Sequence, residues 1–153
     1  YTMAVTLNPY YHEAYFNRGI AFEKLGRTEQ AIADYERTFS LNSSSYQALN
    51  NRGVLYGQAG SYDKAIELFS RSLAINPAYP SSYFNRGFTY SLIGRREDAL
   101  ADLDRAIELD PQFALAYLQR GKLHLIMGSK TPAVEDLRKA CTSGVREACD
   151  VLP

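Results

Sequence analysis

Cysteine and histidine are both scarce in this 153-residue chain, with two of each. His12 and His124 stand more than 100 residues apart, and the cysteines, Cys141 and Cys149, have no histidine beside them. No metal-ligand spacing results, so neither a metal site nor a cofactor is expected. Net charge is also missing, because 17 basic residues balance 17 acidic ones. Nucleic acid is an unsuitable partner, since counterion release needs a concentrated basic face. Apolar runs are too short to cross a bilayer, which argues against membrane insertion. Neither Walker nor dinucleotide glycine spacing occurs, and Gly-x-Ser-x-Gly is absent, so no catalytic residue is assigned. Acidic residues such as Asp102 and Asp104 lie on helical faces beside basic neighbours and read as solvated or paired. What remains is 46% hydrophobic and 22% charged, the composition of an ordered protein.

The chain is rich in self-similarity. Asn17-Arg18-Gly19, Asn51-Arg52-Gly53, Asn85-Arg86-Gly87 and Gln119-Arg120-Gly121 recur every 34 residues. A second glycine follows each at a constant offset (Gly26, Gly60, Gly94, Gly128), and then an alanine (Ala31, Ala65, Ala99, Ala133). Such a period means stacked copies of one small unit, each burying its apolar face on its neighbours. A stack of this kind offers extended surfaces rather than a catalytic pocket. Leu7-Asn8-Pro9 keeps the register of Ile75-Asn76-Pro77 and Leu109-Asp110-Pro111. Residues 1–11 therefore read as the end of a preceding unit, and the chain as an excerpt of a longer protein. Units follow at 12–45, 46–79, 80–113 and 114–144, with a capping helix over 145–153, all in a single array.

Each unit reads as two helices. First helices are expected near 13–24, 46–58, 81–92 and 115–127, and second helices near 29–41, 62–75, 96–109 and 131–142. About nine helices and no strand are expected. In the third unit Tyr83, Gly87 and Tyr90 fall on one stripe, and Ala99, Leu103, Ala106 and Ile107 on another. Glycine in mid-helix costs about 1 kcal/mol against alanine, so its recurrence points to a close helix crossing. The alanine opening the second helix is the expected other half of that contact.

Counted from His12, Tyr46, Pro80 and Ala114, the spacing of aromatic, glycine, alanine and proline positions resembles the tetratricopeptide repeat. The third unit carries it most fully, with Tyr83, Gly87, Tyr90, Ala99, Leu103, Ala106 and Pro111. Departures are Thr38 and Ser72 at the twenty-seventh position, Leu49 at the fourth and His124 at the eleventh, a core-facing place. The resemblance spans the chain. It implies an all-α fold, a right-handed superhelical solenoid of antiparallel helix pairs, and a non-catalytic protein-interaction role.

At the seventh position, where the family usually has leucine, stand Arg18, Arg52, Arg86 and Arg120. This position lies toward the packed stripe, so each arginine should be paired. Asp34, Asp102 and Asp136 occupy a matching place on the second helices. The second unit has Leu68 there, leaving Arg52 to look to Glu67 or to Asp34.

The opposite side of the first helices lines the concave groove in tetratricopeptide arrays. Its candidate members are the amide row Asn17, Asn51, Asn85 and Gln119, with Phe16, Asn50, Phe84 and Leu118, then Ile20, Val54, Phe88 and Lys122. An amide both donates and accepts, so it can hold the backbone of an extended peptide. The bland alternative is that the asparagines fix helix geometry. A subset of the family grips a C-terminal carboxylate, but Glu13, Ser81, Asn85, Leu115 and Gln119 do not match its basic positions. A neutral extended peptide or a partner helix is therefore the expected occupant. The alternatives are a structural module that self-associates end to end, and a targeting domain of a larger enzyme.

The C-terminal Ala140-Cys141 and Ala148-Cys149, with Gly144 between, resemble the junction of cysteine-containing Sel1-like repeats, where cysteines at this spacing are joined. A bridge would imply a periplasm or the cell exterior. Two buried thiols in a reducing cytoplasm are the equal alternative.

Overall fold

The computed structural model describes residues 1–152, and among them every regular element is an α-helix. There are ten: α1 (Thr2–Leu7), α2 (His12–Lys24), α3 (Thr28–Leu41), α4 (Tyr46–Gln58), α5 (Tyr62–Ile75), α6 (Pro80–Leu92), α7 (Arg96–Leu109), α8 (Ala114–Ile126), α9 (Lys130–Thr142) and α10 (Arg146–Val151). The count exceeds the expected nine by one, because both short end segments are helical. The paired helices begin and end within one residue of the expected places. The chain groups into two compact units, Tyr1–Pro77 and Ala78–Pro153. The first holds α1–α5 and the second α6–α10.

Second helices are built on one apolar stripe. Buried residues in α5 are Ala65, Leu68, Phe69, Ser72 and Leu73, and in α7 Ala99, Asp102, Leu103, Ala106 and Ile107. Spacing of three and four residues puts each set on one side of its helix. Within a pair the helices run antiparallel. In the first unit the Thr38 hydroxyl near the end of α3, bonded to the Asp34 carbonyl of its own helix at 2.8 Å, also comes within 3.4 Å of the His12 carbonyl at the start of α2. The Ser72 hydroxyl donates to the Tyr46 carbonyl at 3.0 Å. Each hydroxyl at the twenty-seventh position thus lies within reach of a carbonyl on the paired helix.

The turn inside each pair closes on its glycine. Gly94 has φ +78°, a left-handed conformation that side chains resist. Its amide meets the Ser91 carbonyl at 3.2 Å, and the Arg95 amide reaches Tyr90 at 2.9 Å. That double closure caps the last carbonyls of α6. At 2.9 Å the Arg27, Ser61 and Ser129 amides repeat the longer bond onto Phe22, Tyr56 and His124.

The mid-helix glycine does mark a close crossing, but its partner differs from the alanine expected. A Cβ on Gly53 would stand 2.7 Å from the Phe69 ring, and one on Gly19 2.8 Å from the Tyr35 ring. In the second unit a Cβ on Gly87 would stand 3.0 Å from the Asp102 Cβ, 3.1 Å from the Ala99 carbonyl oxygen and 3.3 Å from Leu103, and one on Gly121 2.9 Å from Leu137 and 3.2 Å from the Ala133 oxygen. The large residue in the middle of the second helix is the nearest neighbour at Gly19, Gly53 and Gly121, Asp102 is nearest at Gly87, and in the second unit alanine contributes through its backbone.

Candidate functional site

Arginine pairing follows one pattern in three repeats. Arg18 meets Asp34 through two hydrogen bonds of 2.7 Å, Arg86 meets Asp102 at 2.7 and 2.8 Å, and Arg120 meets Asp136 at 2.7 Å twice. Aromatic rings flank the guanidinium groups: Tyr15 and Phe22 lie 5.4 and 5.6 Å from Arg18, and Tyr83 and Tyr90 lie 5.7 and 6.0 Å from Arg86. Bidentate carboxylate contact, with burial working against it, pushes the pKa of all three arginines upward. Arg120 also bonds Asp104 of the preceding repeat at 2.6 Å.

Arg52 is the exception. Its Nη2 donates to Glu36 at 3.0 Å, so it meets neither Glu67 nor Asp34. Glu36 stands five residues before the end of α3, whereas Asp34 is already occupied by Arg18. The Arg52 Nε is buried with no partner among the described residues, because Leu68 fills the place an aspartate takes elsewhere. An unmet buried donor costs about 1–3 kcal/mol. Leu68→Asp is therefore expected to stay within about 1 kcal/mol of the wild type, relief of that donor offsetting the lost apolar burial. Leu68→Ala, which leaves donor and cavity together, should cost about 2–3 kcal/mol. Urea titration of both variants checks the order; an aspartate variant weaker than the alanine one would refute it.

The opposite face of the first helices divides by chemistry. In the first unit it is largely polar. Phe16 and Ile20 pack on the cluster of Ala31, Tyr35, Ala48 and Leu55, with Phe16 5.7 Å from the Tyr35 ring. Asn50, expected on the open face, is 4% exposed and donates to the Asn51 Oδ1 at 3.2 Å. The Tyr35 hydroxyl donates to Glu23 at 2.7 Å. Burial first, and that carboxylate second, raise the tyrosine's pKa, and the Asn51 side chain opposes the rise. Asn51 is half-buried and accepts the bond from Asn50. Asn17 and Val54 are half-buried. An open cleft of about 340 Å³ lies at the N-terminal ends of α2 and α4, bordered by His12, Glu13, Phe16, Ser44 and Gln47.

In the second unit the same face is apolar and open. Phe84 and Phe88 stack with centroids 6.4 Å apart, and Phe113 approaches Phe84 at 4.9 Å. Phe88 is 37% exposed, Leu115 47%, Leu92 51% and Ile126 66%. Leu118 is buried, and Asn85 and Gln119 are half-buried. Leu92 and Ile126 were not among the residues named from the sequence for this face. Lys122 forms an ion pair with Glu147 of α10, a contact no periodicity could signal.

Cys141 of α9 and Cys149 of α10 are joined, with sulfurs 2.05 Å apart. Gly144, at φ +91°, turns the chain between the two helices. Ala148 is wholly buried, and Val145, Val151 and Leu152 pack on the same core. The described residues hold no cluster of metal-ligating side chains, and none of their helices is long and apolar enough to cross a membrane.

Solved structures share this architecture. The crystal structure of MamA superimposes with a TM-score of 0.82 over 97% of this chain and 87% of that chain, at 23% identity. The first TPR of Spaghetti (RPAP3), bound to the HSP90 peptide SRMEEVD, gives 0.74 over 77% of this chain and 94% of that chain, at 22% identity. A chain of the APC/C hetero-tetramer Cut9-Hcn1 gives 0.89 over 99% of this chain but 31% of that chain, at 20% identity. No curated protein sequence matches. Models of the tetratricopeptide repeat match residues 4–80, 80–113 and 114–143. With the 34-residue period, the glycine-notched helix pairs and these matches in agreement, the chain belongs to the tetratricopeptide repeat family.

Proposed function

We propose that this protein is a non-catalytic interaction scaffold that takes an extended peptide or a partner helix on the face of its first helices. The observation that carries the proposal is the open apolar row of the second unit, Phe88 and Leu92 on α6 with Leu115 and Ile126 on α8. Large apolar side chains left exposed on a folded surface are candidates for interaction. Half-buried Asn85 and Gln119 beside the row supply polar groups for a backbone. The Spaghetti domain, of similar fold, is bound to a peptide, which agrees with this reading. The absence of the basic clamp positions still favours a neutral occupant.

Exposure makes these apolar side chains the place to test binding. Peptides selected from a random library on the wild-type protein would be titrated calorimetrically against a Phe88→Ala, Leu115→Ala double variant. Affinity is expected to fall about tenfold or more, since truncated apolar anchors typically cost over 1 kcal/mol each. The unfolding midpoint should barely move, because both side chains are already exposed. Unchanged affinity in a folded variant would place binding on another face, such as that of the second helices.

A further inference from the structure

Helix α10 is six residues long. Isolated helices below about 12–15 residues are marginal in water, so α10 depends on what fastens it. Three attachments do so. Ala148 and its apolar neighbours pack on the core, Cys149 is bonded to Cys141, and Glu147 pairs with Lys122. Two of these meet functional chemistry. Cys149 is exposed, so a thiolate from solvent can reach its sulfur. Lys122 stands at the ninth position of its repeat, where the others carry Ile20, Val54 and Phe88. It is thus the charged member of that row on the proposed binding face.

We propose that the Cys141–Cys149 bond is a redox latch on α10, and that the latched helix keeps Lys122 from an acidic group of a partner. Reduction by a dithiol breaks one S–S bond. The reductant supplies two electrons and two protons, two protein thiols form, and the dithiol closes to its own disulfide. With the loop open, the chain beyond Gly144 regains its conformational freedom and Glu147 leaves Lys122. The freed ammonium group, with Gln119 on one side and Ile126 on the other, suits a peptide that carries a carboxylate next to an apolar side chain. The oxidised protein favours a neutral partner and the reduced protein an acidic one. This rests on the proposed binding face, but the masking of Lys122 can be read without any partner.

The test is acetylation of lysines by an N-hydroxysuccinimide ester, followed residue by residue by mass spectrometry. It compares oxidised protein, protein reduced with a phosphine, Cys141→Ser with Cys149→Ser, and oxidised Glu147→Gln. Loss of an exposed ion pair should speed Lys122 labelling about two- to fivefold. That rise is expected in all three altered forms, with Lys24 and Lys64 of the first unit unchanged. If Glu147→Gln accelerates labelling while reduction and the serine variant do not, packing alone holds α10 and the latch is refuted. If no form labels faster, Lys122 is not masked and the proposal falls. Failure of the binding face would show separately, as intact affinity in the Phe88→Ala, Leu115→Ala variant.

Discussion

Phe69→Ala is expected to lower the unfolding free energy by about 3–5 kcal/mol, the usual range for deleting a core phenylalanine. The ring is 1% exposed and fills the notch that Gly53 leaves in α4. Because Gly53 has no side chain to move inward, the cavity cannot collapse from that side, which puts the cost in the upper part of the range. Phe69 suits the measurement better than Tyr35 in the preceding repeat, whose hydroxyl also bonds Glu23. Denaturant melts with the slope held in common give the number. A loss below about 1 kcal/mol would mean that the notch is not the contact joining α4 to α5. The complementary change, Gly53→Ala, sets two effects against each other. Helix propensity gains about 1 kcal/mol, but the new methyl would stand 2.7 Å from a buried ring. Overpacking of that kind costs about 1–3 kcal/mol and should win by a small margin.

Asp34→Ala should cost about 3 kcal/mol, near the lower end for breaking a buried ion pair. The aspartate side chain is 6% exposed and that of Arg18 21%, so water reaches one edge of the guanidinium and softens the loss. What makes the variant costly is the arginine left behind, still held between Tyr15 and Phe22. Removing both charges with Arg18→Met and Asp34→Leu should recover much of the loss, since a well-packed apolar pair often replaces a buried ion pair at little cost. A double-mutant cycle separates the pair from its surroundings. If the double variant is no more stable than Asp34→Ala, the charge left behind is not the cause.

The helices and their pairing were legible in the sequence because the signals are local. Glycine at a fixed offset ends each first helix through a left-handed turn, and the spacing of Ala99, Leu103 and Ala106 defines a buried stripe from period alone. Three of the four arginine partners were legible for the same reason, since the sixteen-residue step from Arg18 to Asp34 is repeated in two other units. Where the repeat broke, at Leu68, that reasoning had nothing to copy, and Arg52 went to Glu36.

By itself, then, the sequence determined an all-helical repeat fold, the ends of its paired helices and the side of each that is buried. Those properties follow from backbone geometry and from apolar periodicity, which act within one unit. Tertiary structure alone decided that Asn50 is buried, that Arg52 meets Glu36, and that Lys122 is held by Glu147. Such contacts depend on distances between side chains on different helices. Helical phase tells which way a residue points, but the neighbouring helix decides whether it meets a partner or solvent there.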